Sequence, residues 1–391
     1  MRAFIVIPSL DIYFERARMF EQLAELGLDI RIFAMARPKE GQWNPKIFRW
    51  PTAPSFIYKW LAIRKELHVF VQPDEKIIVH DLFYPKAAWF KKRRCLFVNS
   101  KNIRNIISFY NPTAEIFLSG KWRESWSLTP TLPKLLVYAR RALEELSLEW
   151  IGTKMADGVT GNSDNIIEGV RSFYSPNDRL CRVIPTSIDS SFWHSSPSPK
   201  ISGSNLPSLL FVGTLTARKG IYDFLLIAAA VAKAFGGVQC RIAGRTLPET
   251  DDQLLRKMLS ELKLTESVVR LGNISRDELR TEYWNCDVMV LPTHYEGSPR
   301  VVKEALACGC PVVASRIPGV KSIDPSEKFI QMVPPHDVTQ FAAKVERVLM
   351  FKSFRHEISN LGSSAMFDNF SRKKIANRWF DFYNELFQDS N

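Results

Sequence analysis

VMVLPTHYEGSPRVVKEALACGCPVVAS, residues 288–315, decides how the rest of the chain is read. Val288 to Leu291 is a short β-branched run that stops at Pro292, as a buried strand should. Pro299 suits the first turn of a helix, where a missing N–H costs nothing, and Gly309 suits its end. Arg300 to Cys308 is therefore predicted to be helical. A second apolar run, Pro311 to Ala314, follows at once, and strand, loop, helix and strand make one βαβ unit of a parallel sheet.

The same alternation extends in both directions. After residue 208 the runs are Leu209 to Val212, Gln239 to Ala243, Val268 to Leu271, Val288 to Leu291, Pro311 to Ala314 and Ile330 to Val333. Before it they are Phe4 to Ile7, Ile30 to Ala34, Lys76 to His80, Cys95 to Asn99, Gly158 to Thr160 and Arg182 to Ile184. Between the two series lies SSPSPKISGSNLPS, residues 195–208, whose Ser, Pro and Gly cannot supply a core face and which reads as a linker. The expectation is an α/β chain of two Rossmann-like, doubly wound parallel-sheet domains, 1–197 and 198–365, facing a central cleft. Residues 366–391 carry Ile375, Trp379, Phe382, Tyr383 and Leu386 at helical spacing, so a C-terminal amphipathic helix is expected to pack back on the first domain.

A chain of 391 residues with 46% hydrophobic and 24% charged residues can bury two such cores. Its charge is uneven: of 53 Lys and Arg, 21 fall in residues 31–141 against only 7 acids, and this stretch accounts for the net +12. The same stretch holds six of the ten Trp: Trp43, Trp50, Trp60, Trp89, Trp122 and Trp126. Basic and aromatic together suit an anionic membrane surface or a lipid-linked phosphate. Nucleic acid is the weaker alternative, because no zinc pattern or RNA-binding motif accompanies the charge. The N-terminus has a short apolar run and then Asp11 and Glu15, which reads as a strand and not a signal peptide. No run approaches the roughly 20 apolar residues of a membrane span. Cys95, Cys181, Cys240, Cys286, Cys308 and Cys310 lie without CxxC pairs, which fits a reducing compartment and argues against a zinc site. The expected location is cytoplasmic, peripheral on the cytoplasmic membrane face.

Chemistry concentrates in two turns. Glu296, Gly297 and Ser298 sit just before the predicted helix that begins at Pro299 and Arg300, where free backbone N–H groups favour anionic ligand atoms. Glu296 and Glu304 can accept hydrogen bonds from the vicinal hydroxyls of a sugar or ribose; alternatively Glu296 is a cap and Glu304 a surface acid. FVGTLTARKG, residues 211–220, is a Gly-containing strand-to-helix turn whose Arg218 and Lys219 can neutralise a diphosphate, or are simply exposed bases.

Residues 206 to about 350 resemble the C-terminal domain of the family 4 retaining glycosyltransferases, which have the GT-B fold. Glu296 and Glu304 match its E-x7-E motif, and Lys219 and Gly220 match the end of its V-G-R-L-x-x-x-K-G pattern. IPTSIDSSFW at 184–193, RIAG at 241–244 and VRLGNISRDEL at 269–279 occur with them in family order. The resemblance implies transfer of a sugar from a nucleotide-sugar donor to a saccharide or lipid-linked acceptor with retained anomeric configuration. It places Gly213, Thr214, Arg218 and Lys219 at the donor diphosphate, with Thr214 where the family often has Arg. Asn273 and Ile274 would flank the base, Glu304 would meet the ribose, and Glu296, Gly297, Ser298, Pro299 and Arg300 would form the donor-sugar loop. Lys219 and Glu296 would be catalytic. The family's acceptor-side His is represented by His80 or replaced by Asn99. No cofactor beyond the nucleotide-sugar co-substrate is implied, and without a D-x-D triplet no metal is expected in the transfer. A GT-B nucleotide-sugar epimerase and a catalytically inactive sugar-binding relative are the remaining alternatives.

Overall fold

In the computed structural model the described residues are 1–9, 14–36, 38, 43–50, 65–67, 69–70, 75–81, 103–109, 146–147, 149–150, 152–154, 156–176, 181–196, 206–246 and 252–388. They form two compact units. One comprises the described residues up to Ser187 together with those from Ser371 onward, and the other runs from Ile188 to Phe370. Most of the basic, Trp-rich stretch, with Trp60, Trp89, Trp122 and Trp126, lies outside the described residues.

The first unit is built from β1 (Arg2–Ser9), α1 (Phe14–Glu25), β2 (Asp29–Ala36), β3 (Phe48–Arg49), β4 (Ile77–Asp81), β5 (Ile103–Phe109), β6 (Gly158–Gly161), α2 (Asp164–Tyr174) and β7 (Cys181–Val183). Its seven strands are all parallel, in the order β3-β2-β1-β4-β5-β6-β7. The strand beside β4 is Ile103–Phe109, and the run Cys95 to Asn99 proposed from sequence falls outside the described residues. Arg104, Asn105 and Ser108 interrupt the apolar signal that a strand covered on both faces ordinarily carries.

The second unit contains β8 (Ser208–Val212), α3 (Ile221–Phe235), β9 (Gln239–Ala243), α4 (Asp252–Glu261), β10 (Val268–Gly272), α5 (Arg276–Asn285), β11 (Val288–Leu291), α6 (Arg300–Ala307), β12 (Val312–Ser315), α7 (Pro318–Lys321), β13 (Ile330–Val333), α8 (Val338–Met350) and α9 (Lys352–Phe370). The order β10-β9-β8-β11-β12-β13, parallel throughout, is the doubly wound 3-2-1-4-5-6 pattern counted from β8. Every residue of β8, β11, β12 and β13 is buried, which is why these strands read as apolar runs broken only by Ser208, Ser315 and Gln331. Helix α3 closes one face: Phe224 and Phe211 meet with ring centroids 5.4 Å apart, and Ile227, Ala228 and Val231 are fully buried.

The last helix, α10 (Arg372–Glu385), belongs to the first unit and lies on α1. Its Ile375, Trp379, Phe382 and Tyr383 are buried, and Trp379 meets Phe20 at 5.5 Å between ring centroids. At the start of α10, Arg372 Nη2 donates to the buried Glu15 Oε2 at 2.7 Å, so the acid that follows the first strand has a partly covered cation as its partner. Among the described residues no helix is long and apolar enough to cross a membrane.

Candidate functional site

In a 3-2-1-4-5-6 sheet the chain leaves β8 and β11 in opposite directions, and a crevice opens beyond their carboxyl ends. The two turns singled out in the sequence both sit there. After β8 the chain runs through Gly213 and Thr214 to a single 3-10 turn, Ala217–Lys219, and into α3. After β11 it runs through Thr293 to Pro299 and into α6.

These turns are laced together by backbone and side-chain bonds. The His294 N–H donates to the Arg218 carbonyl at 2.8 Å, and the Thr293 hydroxyl donates to the same carbonyl at 3.1 Å. Arg218 Nη1 returns a bond to the Tyr295 carbonyl at 2.9 Å. Gly220 completes the approach: its φ is +76°, and a Cβ there would lie 2.0 Å from the Pro292 carbonyl oxygen. Only glycine satisfies both conditions.

The outcome is a cation pair gathered around one carboxylate. Lys219 Nζ forms an ion pair with Glu296 Oε1, Arg218 Nη1 lies 3.9 Å from that oxygen, and the Thr293 hydroxyl is 3.3 Å from it. The side chains of Lys219 and Glu296 are 18% and 12% exposed, so the pair is mostly covered yet still reached by solvent. At such a site charges interact more strongly than at an open surface. An incoming anion would find two fixed cations and a carboxylate that can be redirected to neutral hydroxyls.

Beside this group is a cavity of about 220 Å³, lined by Gly213, Thr214, Gly244, Arg245, Asn273 and Ile274 among others. Four sequence candidates, Gly213, Thr214, Asn273 and Ile274, therefore share one cavity at the ends of β8, β9 and β10. Arg245 is an addition to them. It follows the RIAG run directly, and a cation one residue past a strand-end glycine was the available signal.

Gly297 is buried and Ser298 partly so, and Pro299 occupies the cap position immediately before α6, one residue earlier than the first turn proposed for it. Glu304 is a helix residue with 3% exposure. Arg300 Nε donates to its Oε1 at 3.2 Å, and the Tyr283 hydroxyl donates to its Oε2 at 3.4 Å. Burial, followed by the Glu304 charge, pushes the Tyr283 hydroxyl well above its ordinary value, so this phenol keeps its proton and remains a donor. Glu304 is thus not the solvated surface acid of the alternative reading.

His80 requires a correction. It lies inside β4, fully buried, with Nδ1 2.8 Å from the Tyr383 hydroxyl and Nε2 2.7 Å from Ser108 Oγ, which in turn lies 2.7 Å from Thr160 Oγ1. The rings of Phe20 and Trp379 pack on it at 5.3 and 4.6 Å. With both nitrogens engaged and no exposed surface, it is a core residue joining β4 to α10. Asn99, the other acceptor-side candidate, lies outside the described residues.

Burial lowers the His80 pKa from 6.5 to about 3. Because the folded pKa is depressed, the unfolded chain takes up a proton below pH 6.5 that the folded chain refuses, and stability falls with pH down to about 3. The slope from this one group is about 1.4 kcal/mol per pH unit. Denaturant unfolding of wild type and His80→Gln at pH 7 and pH 5 should show the pH-dependent loss to be smaller in the variant by about 2 kcal/mol. Equal losses in the two proteins would refute it.

Comparison with known proteins supplies the context for this geometry. Residues 206–350 match the family described as Glycosyl transferases group 1. The chain is 33% identical over 175 residues to an uncharacterized glycosyltransferase of Methanocaldococcus jannaschii, covering 45% of this chain and 44% of that one. The chain spans about half the length of the curated relatives it matches. Among solved structures, sucrose-phosphate synthase from Thermosynechococcus elongatus superposes with a TM-score of 0.77 at 20% identity, over 100% of both chains. Anabaena HepE, in complex with UDP and glucose, gives a TM-score of 0.71 at 14% identity, over 97% of this chain and 98% of that one. The fold is GT-B.

Proposed function

We propose that the chain is a retaining family 4 glycosyltransferase that moves a sugar from a nucleotide-sugar donor to a saccharide or lipid-linked acceptor. The observation that carries this reading is the Lys219–Glu296 pair beside the cavity at the ends of β8 to β10. The nucleoside occupies the cavity against Asn273 and Ile274, and its diphosphate meets Lys219, Arg218 and the backbone at Gly213 and Thr214. As Lys219 turns to phosphate, Glu296 is released to accept hydrogen bonds from the donor sugar. Glu304, held by Arg300 and Tyr283, serves the ribose side.

In the transfer the bond from the anomeric carbon to the diphosphate oxygen breaks, and a bond from that carbon to the acceptor oxygen forms on the same face. The acceptor proton leaves with the departing diphosphate. Negative charge grows on the leaving group, and fixed cations aimed at that charge supply the largest catalytic contribution. No protein nucleophile is required. UDP is the first nucleotide to test, since a GT-B structure similar to this chain holds UDP and glucose.

The basic, Trp-rich stretch between residues 31 and 141 supports a membrane-proximal acceptor of the kind used in cell-surface polysaccharide or glycolipid assembly. Incubation of nucleotide sugars with and without acceptor tests the reaction class. A transferase yields product only when acceptor is added, whereas an epimerase converts the donor alone. The proposed transfer uses no metal at the diphosphate, so rates with and without added magnesium should be equal. Loss of activity in EDTA with recovery on adding magnesium would refute that part.

A further inference from the structure

We propose that Asp223, His294 and His336 form a binding site for a divalent transition-metal ion of the zinc type. The three come from separate segments: Asp223 from the first turn of α3, His294 from the loop that carries Glu296, and His336 from the loop between β13 and α8. His294 Nε2 lies 2.9 Å and His336 Nδ1 3.7 Å from Asp223 Oδ2, and one ligand atom from each residue falls within 4.8 Å of the others. Ligand atoms about 2.0–2.1 Å from a tetrahedral zinc stand about 3.3 Å apart, so the observed separations bracket those of a formed site.

The donor set selects the ion. Two imidazoles and one carboxylate suit zinc, copper, nickel or cobalt, whereas magnesium and calcium take oxygen ligands. A simple hydrogen bond from His294 to Asp223 would account for two of the residues but not for the third. His336 is a non-glycine residue at φ +66°, a conformation that places its ring 4.0 Å, centroid to centroid, from that of His294. A strained backbone that brings a third ligand to an existing pair points to a ligand that uses all three. Its side chain is 63% exposed against 11% for His294 and 19% for Asp223, so an ion can enter from the His336 side and keep a position for water.

The consequence follows from where His294 sits. Its N–H holds the Arg218 carbonyl, and Glu296 follows two residues later. An ion in this site would tie the Glu296 loop to α3 and to the β13–α8 loop, as a clamp outside the reacting centre. The site stands independently of the proposed transfer and is tested without measuring activity.

Chelator-stripped full-length protein should take up one equivalent of Zn²⁺ by calorimetry and ignore Mg²⁺. Co²⁺ used as a spectroscopic probe should give the visible absorption of a low-coordinate site, abolished by Zn²⁺. His336→Ala, whose exposed side chain can be removed without disturbing a core, should weaken Zn²⁺ binding more than about 100-fold, with Asp223→Asn giving a similar loss. At about 100 times its Kd, Zn²⁺ should slow exchange of the His294 amide through local opening about 100-fold. Absence of saturable Zn²⁺ uptake, or wild-type uptake by both His336→Ala and Asp223→Asn, would overturn the proposal.

Discussion

Replacing Lys219 with alanine is expected to lower kcat by about 10²–10³-fold, the cost of removing one preorganised group that stabilises charge forming in the transition state. The size follows from position. Lys219 is the cation in direct contact with Glu296, and Arg218, whose Nη1 is 3.9 Å from the same oxygen, is held by the Tyr295 carbonyl. Arg218 still meets the diphosphate in the variant, but its bond to the Tyr295 carbonyl keeps it from moving into the place of the missing ammonium. Lys219→Arg should recover only part of the rate, because a planar guanidinium fills a site shaped for a compact ammonium poorly. Steady-state rates for the two variants check this. A Lys219→Ala enzyme with wild-type kcat would remove the diphosphate from this turn.

Gly319→Ala should be the second large effect, although Gly319 carries no chemistry. A Cβ at this position would lie 2.0 Å from the Glu296 carbonyl oxygen and 2.9 Å from the Gly297 carbonyl carbon. Both are backbone atoms that cannot swing aside. Gly319 lies within the short helix α7, where alanine is otherwise favoured over glycine by about 1 kcal/mol. Any loss is therefore attributable to displacement of the Glu296 loop. Moving the loop by the roughly 1 Å needed to clear the contact should lower kcat/KM on the order of 10²-fold. Overpacking should also destabilise the protein by about 1–3 kcal/mol. Kinetics measured on the folded fraction, alongside thermal unfolding, separate the two consequences. Unchanged kcat/KM in the folded enzyme would mean that the loop position does not matter to turnover.

What the sequence made legible, and what it did not, follows from how each feature is encoded. Strands covered on both faces appear as near-continuous apolar runs, so β8 and β11 could be bounded to within a residue, and the short polar interruptions in β9 and β13 left their bounds legible too. Strand β5 was hidden by Arg104, Asn105 and Ser108. The turn residues Gly213, Lys219, Gly220 and Glu296 were legible because tight backbone approach and clustered charge leave a local signature. His80 misled for the same reason: a histidine near a strand end looks available, and only the packing of Phe20, Trp379 and Tyr383 shows that it is enclosed. The cluster of Asp223, His294 and His336 has no local spacing at all. It exists only because α3, the Glu296 loop and the loop after β13 meet at one end of the second sheet.

The central claim, that the crevice beyond β8 and β11 takes a nucleotide sugar, is tested most directly by thermal unfolding of wild type and Lys219→Ala against UDP-, GDP- and ADP-sugars. A ligand that binds only the folded state at about 100 times its Kd adds about 2.7 kcal/mol and raises Tm accordingly. The expected result is one nucleotide class that raises the Tm of wild type and raises that of Lys219→Ala markedly less. A panel without any shift in wild type, or one whose shifts are identical in the two proteins, would contradict it.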